Sequence, residues 1–149
     1  MGTSDWKITE VFSADPDTLS ALNRLLPQLS KSASPVTEAE LAAIADSPAS
    51  HLLMAFCGDE VGGMLTLVLV RIPTGVRAHI EDVVVGLEWR GMGVGRMLTE
   101  AALELARSLG AKTVDLTSRP SRIAAHALYR SVGFEVRDTS VYRYQWEER

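Results

Sequence analysis

The chain has 149 residues, with 19 acidic against 15 basic side chains and a formal net charge of −4. At 46% hydrophobic and 23% charged residues it reads as one globular domain spanning residues 1–149, and the acidic balance excludes nucleic-acid binding through a basic surface. A single cysteine, Cys57, excludes an internal disulfide and any zinc site built on several cysteines.

Trp6 to Phe12 alternates loosely and reads as a first strand. Asp15-Pro16 has the form of an N-cap followed by proline at the first helical position, and Leu19, Leu22, Leu26 and Leu29 follow at helical spacing. Pro27 is expected to end or kink that helix. After a serine-rich loop from Lys31 to Pro35, Thr37 with Glu40 forms a capping box for a second helix that Pro48 stops. Leu52 to Cys57 and Val61 to Arg71 are apolar runs around a Gly58-Asp59 turn, and Val76 to Val85 follows a turn at Pro73 to Gly75. Three hairpin-linked strands form an antiparallel meander.

Val94, Leu98, Ala101, Ala102, Leu105 and Leu109 recur at helical spacing, and Gly110 stands where a C-cap belongs. Lys112 to Thr117 reads as a strand, so strand, helix and strand form a crossover whose strands run parallel. Ser121 is expected to cap a helix that Gly133 ends, and Phe134 to Val136 with Val141 to Trp146 reads as a closing hairpin. The expected class is α+β: a mixed, mostly antiparallel sheet of about six to seven strands with four helices. Open strand edges leave room for a homodimer.

Met1 to Trp6 lacks the charged and apolar regions of a signal peptide, and Trp6 occupies the place where a myristoylation site wants Ser or Thr. The longest apolar run, Met64 to Val70, is far short of a membrane span. With one cysteine and no visible address, the expected compartment is the cytoplasm, with no membrane or nucleic-acid partner.

Arg90-Gly91-Met92-Gly93-Val94-Gly95-Arg96 joins the third meander strand to the long helix. Alternating glycines bare the backbone at a helix N-terminus, where free N–H groups and the helix dipole favour phosphate or pyrophosphate. Arg90 and Arg96 add flanking charge. A Walker A loop requires Lys then Ser or Thr, where this chain has Arg96-Met97. A dinucleotide fingerprint counted from Gly91 requires Gly or Ala at Arg96, and fails.

The run from Arg90 to Gly95 resembles the acyl-CoA pyrophosphate loop of the GNAT superfamily of N-acetyltransferases. Ala127-Leu128-Tyr129-Arg130-Ser131-Val132-Gly133-Phe134 resembles that family's late helix with its Tyr-x-x-x-Gly-Phe ending. The resemblance implies acetyl transfer from acetyl-CoA to an amine of a small molecule or peptide, by direct attack in a ternary complex and without a metal. It implies that the backbone of Val83, Val84 and Val85 holds pantetheine and that Arg90 to Arg96 hold the pyrophosphate. Relatives carry Asn seven residues before the tyrosine; this chain has Arg122, which offers a guanidinium to the CoA phosphates instead.

The family places a Glu as general base at Glu81, with Asp82 the second choice; strand alternation would set Glu81 on one face with His79, Val83 and Val85. His79-Ile80-Glu81-Asp82 also resembles the family's amino-sugar acetyltransferases. The family's proton donor to the leaving thiolate matches Tyr129, the alternative being a hydroxyl bonded to backbone. His126, His51 and Cys57 read as structural. Tyr142, Tyr144 and Trp146 alternate and fit an acceptor pocket, a dimer interface or a helix-covered sheet face. The acceptor pocket is expected to draw on Pro27 to Thr37 and Arg137 to Ser140. The rival function is a CoA-binding sensor that no longer catalyses.

Overall fold

The computed structural model describes residues 5–147; Met1–Ser4, read above for targeting signals, lie outside the described residues. The Thr18 N–H donates to Asp15 at the start of α1 (Pro16–Leu29). Pro27 does not end this helix, which runs to Leu29. A proline in the last turn removes a single intrahelical bond, while Ala21, Leu22 and Leu25 anchor the apolar face. In α2 (Glu38–Asp46) the Glu40 N–H donates to Thr37 Oγ1 at 3.1 Å, and the Thr37 hydroxyl donates to Glu40 Oε1 at 3.0 Å.

Five strands form one sheet: β1 (Trp6–Glu10), β2 (Ser50–Cys57), β3 (Glu60–Ile72), β4 (Gly75–Val85) and β5 (Val114–Asp115), in sequence order across the sheet. The first four pair antiparallel; β5 runs parallel to β4 after the crossover through α3 (Val94–Ser108). One sheet face packs on α1 and α2 through Leu25, Leu41, Met54 and Val84. The other packs on α3 through Leu65, Leu67, Ile80, Leu98 and Ala102. Each fully buried Leu contributes roughly 1.5–3 kcal/mol of transfer free energy. Then α4 (Ile123–Val132) lies against α3 and ends at Gly133, whose φ of +118° gives the left-handed turn that the helix end requires.

The α+β class, the meander, the parallel crossover and the four helices agree with the sequence reading. The strand count does not: five strands form among the described residues, and neither Phe134–Val136 nor Val141–Trp146 is a strand. Those runs find no ladder partner, and a hairpin without a sheet to join is marginal in water. Ser121 is not the α4 cap either. Arg122 occupies that position with no side-chain bond, and Ser121 contributes only its carbonyl, which accepts from the Ile123 N–H at 3.0 Å. Among the described residues no helix is long and apolar enough to cross a membrane.

Candidate active site

The site begins with a fault in strand pairing. Thr66 pairs with Glu81 and Met64 with Val84, so β4 carries one extra residue against β3. Asp82 takes up the surplus at φ +52°, and it is the one non-glycine residue with positive φ among the described residues. The extra residue inverts the side-chain alternation. Ile80 packs with the α3 core, whereas Val84 packs with the α1 and α2 core, and Val83 and Val85 turn to α3. Glu81 therefore does not share a face with Val83 and Val85, as uninterrupted alternation predicted; the bulge separates them.

Shortly before the bulge β4 also loses its parallel neighbour. The ladder to β5 holds only at Ala78–Val114 and His79–Asp115, flanked by the Ala78 N–H donating to the Thr113 carbonyl at 2.9 Å. From Ile80 onward the two chains diverge. This is why β5 is shorter than the predicted Lys112 to Thr117. The gap widens into a cleft of about 1300 Å³, walled by Val83–Val85 on one side and Leu116–Ser118 on the other.

The cleft runs to the start of α3. Gly93 is the N-cap at φ +82° and supplies no capping side chain; the first intrahelical bond is Met97 N–H to the Gly93 carbonyl at 3.0 Å. The N–H groups of Val94, Gly95 and Arg96 thus have no helical acceptor and sit at the positive end of a 15-residue helix. Gly91, at φ +80°, has open space where a Cβ would stand, so its conformation rather than its room calls for glycine. Gly95 is a packing glycine: a Cβ there would stand 3.3 Å from Leu128 Cδ2. Arg90 lies at the mouth, its Nε donating to the Val85 carbonyl at 3.2 Å.

On the far wall stands Tyr129, 8% exposed and edge-on to Phe134 at 5.8 Å. Its hydroxyl bonds to no protein group among the described residues, unlike the backbone-tethered alternative. Burial raises its pKa above the ordinary phenol value, and the Arg122 guanidinium partly opposes that rise. The cleft thus faces a neutral, untethered phenol at physiological pH.

Of the residues picked out in sequence, Glu81, Asp82, Val83, Val84, Val85, Arg90, Gly91, Gly93, Val94, Gly95, Arg96, Arg122 and Tyr129 all line this one cleft. Met92 does not; it packs against the core. His126 Nε2 meets the Arg119 carbonyl at 2.8 Å, which ties α4 to the preceding loop. His51 pairs with Glu10 at 2.9 Å, between β1 and β2. Gln28 and Leu29 reach the cleft from the predicted acceptor loop, but Arg137 to Ser140 do not; Val141 and Arg143 do. Tyr142, Tyr144 and Trp146 lie in solvent, the first 92% exposed. The sequence reading missed Ser118 and Arg119. A Thr-Ser-Arg run just past a predicted strand was the available signal.

Residues 18–134 match the profile of the acetyltransferase (GNAT) family. The chain is 34% identical over 128 residues to glucosamine 6-phosphate N-acetyltransferase of Trypanosoma brucei brucei, covering 80% of this chain and 84% of that protein. Its fold is similar to a putative acetyltransferase from Agrobacterium tumefaciens str. C58, with TM-score 0.83, 27% identity and coverage of 93% and 99%. It is also similar to an aminoglycoside acetyltransferase from an uncultured soil metagenomic sample, solved with sisomicin, with TM-score 0.85, 19% identity and coverage of 97% and 98%. With the diverging strand pair, the bare helix start and the untethered phenol in one cleft, these matches place the chain in the GNAT family of acetyltransferases.

Proposed function

We propose that this acyltransferase moves an acetyl group from acetyl-CoA to a primary amine by direct attack in a ternary complex. The observation that carries the reading is the continuous path from the gap between β4 and β5 to the free N–H groups of α3. The residues present fit CoA: the N–H groups of Val94 to Arg96 and the Arg90 guanidinium suit its pyrophosphate. Val83, Val84 and Val85 have no β5 partner, and their backbone on that side, apart from the Val85 carbonyl that Arg90 holds, suits its pantetheine arm. Arg122, with no ion pair among the described residues, is free for a phosphate. Acetyl-CoA, when bound, supplies the acetyl group as a thioester.

The chain's residues then have separate tasks. An amine acceptor carries a proton below its pKa, which is about 10 for a lysine-like amine and lower beside electron-withdrawing groups. Glu81 takes the proton, directly or through water, and leaves a nucleophilic lone pair. A backbone N–H of the bulged stretch, at Val84 or Val85, meets the oxygen on which charge develops. As the C–N bond forms and the C–S bond breaks, Tyr129 shares its proton with the departing sulfur.

The acceptor we favour is an amino sugar. The His79-Ile80-Glu81-Asp82 run and the named activity of the trypanosomal relative support it. The test incubates the protein with acetyl-CoA and a panel holding glucosamine 6-phosphate, an aminoglycoside, free amino acids and peptides. Released thiol and a mass gain of one acetyl group are read together. Transfer to a sugar amine supports the reading. CoA binding without transfer to any amine overturns it in favour of a sensor domain. The exposed Tyr142, Tyr144 and Trp146 support a homodimer as the working assembly.

A further inference from the structure

We infer that Thr99 is a positioning residue for CoA: from inside the fold its hydroxyl bonds the Gly95 carbonyl and so strengthens the Arg96 N–H as a donor to the pyrophosphate. The inference rests on the acetyl-CoA reading above. Thr99 is 0% exposed, the one non-aromatic polar side chain that is buried among the described residues. Its Oγ1 donates to the Gly95 carbonyl at 2.7 Å.

The core itself does not ask for a hydroxyl at this place. Thr99 stands on α3 between Leu98 and Ala102, both fully buried, where valine would fill the same shape with no polar atom to satisfy. Threonine is a poorer helix former than straight-chain residues, and a hydroxyl folded back onto the i−4 carbonyl slightly destabilises and bends a helix. A buried position that keeps threonine against these penalties calls for an account.

The bonded carbonyl supplies it. The Gly95 C=O and the Arg96 N–H belong to one planar peptide group and point in opposite directions along the helix axis. The N–H stands at the open, positive end of α3 beside the cleft, and the C=O faces back into the helix. The three free N–H groups belong to peptides whose carbonyls are those of Gly93, Val94 and Gly95. Each of these carbonyls accepts one helical N–H, from Met97, Leu98 and Thr99 in turn. Among the described residues only the Gly95 carbonyl takes a second bond, and the hydroxyl that gives it is sealed from water. A carbonyl that accepts two hydrogen bonds draws electron density from its own peptide nitrogen. In a low-dielectric surrounding that polarisation is screened least, so the N–H at the other end becomes a better donor. Leu128 and Val85 stand against Gly95 and keep the peptide in its direction. The Arg96 side chain is held by Glu100 and Ser131, which leaves this N–H as the group that Arg96 can offer an anion.

The test separates the hydroxyl from the methyl. Thr99→Val keeps the shape and removes the hydroxyl; Thr99→Ser keeps the hydroxyl and removes the methyl. Thermal midpoints, calorimetric titrations with CoA, and the amide nitrogen and proton resonances of Val94, Gly95 and Arg96 are read for wild type and both variants. For Thr99→Val we expect a midpoint equal to or above wild type and CoA affinity roughly two- to fourfold lower. The Arg96 amide should move to higher field while those of Val94 and Gly95 stay in place. For Thr99→Ser we expect a lower midpoint, with CoA affinity and the Arg96 amide close to wild type. Affinity then follows the hydroxyl while stability follows the methyl. Equal CoA affinity in wild type and Thr99→Val, an Arg96 amide that does not move, or CoA affinity that falls in Thr99→Ser as far as in Thr99→Val overturns the inference. A wild-type protein that does not bind CoA overturns the acetyl-CoA reading itself, and this inference with it.

Discussion

Arg96 Nη1 donates to Ser131 Oγ at 2.9 Å, which fastens the start of α3 to the end of α4, while Arg96 Nε pairs with Glu100 at 2.8 Å. The Arg96 side chain is thus already engaged, and what it leaves for the proposed CoA pyrophosphate is its backbone N–H. Its neighbour Gly93, with a left-handed backbone, sets the direction of all three free N–H groups. Gly93→Ala should therefore reduce CoA affinity more than tenfold, since the left-handed conformation costs an alanine roughly 1–2 kcal/mol and the loop would relax away from it. Arg96→Ala should reduce it less than tenfold. Isothermal titration of the two folded variants decides the order, and the reverse order would show that side-chain charge dominates the site.

Glu81→Gln removes the proposed base without changing the side chain's size. The rate with an amine acceptor should fall most well below the acceptor's own amine pKa, where nearly all amine is protonated, and recover toward wild type as pH approaches that pKa. A profile of kcat/KM between pH 6 and 9.5 measures this. A variant uniformly slow at every pH would indicate that Glu81 positions the acceptor instead.

Tyr129→Phe keeps the ring against Phe134 and removes the proton. We expect kcat to fall roughly 10- to 1000-fold, with acetyl-CoA affinity little changed. Because burial holds the Tyr129 pKa above the ordinary phenol value, its neutral form persists past pH 10 and is lost only above that. Arg122 favours the phenolate, so Arg122→Gln should move that ionisation to still higher pH. Absorbance at 295 nm, with Tyr129→Phe subtracted, follows it directly.

The sheet makes a separate demand at Gly62. A Cβ there would collide with the Trp6 ring, which itself meets Trp89 edge-on at 5.1 Å. Gly62→Ala should destabilise the fold by about 1–3 kcal/mol, lowering the thermal midpoint by roughly 3–10 °C. Differential scanning calorimetry checks it, and an unchanged midpoint would mean that the Trp6 ring moves aside freely.

If Tyr142, Tyr144 and Trp146 serve an assembly, light scattering after size exclusion should give a dimer mass for wild type. Replacing all three by serine should give a monomer that stays folded. A monomeric wild type would leave these rings without an assembly role.

Short-range chemistry made much of this protein legible from its residues alone. Asp15-Pro16, Thr37 with Glu40, the glycine-rich run before Val94 and the left-handed Gly133 each act within a few residues of themselves. The helices and the glycine-rich turn into α3 could therefore be read directly. Tyr129 was legible because its position on α4 is local too. What the order of residues did not contain was the extra residue of β4 against β3, which depends on pairing with a strand some fifteen residues earlier. That bulge decided which faces Val83, Val84 and Val85 occupy and so parted Glu81 from Val83 and Val85. The same holds for the closing segment: Tyr142, Tyr144 and Trp146 carry a strand's alternation, but a strand exists only where another edge accepts its hydrogen bonds. Thr99 was silent for the same reason, since a threonine becomes conspicuous only when the fold seals it from water and leaves its hydroxyl one carbonyl to bond.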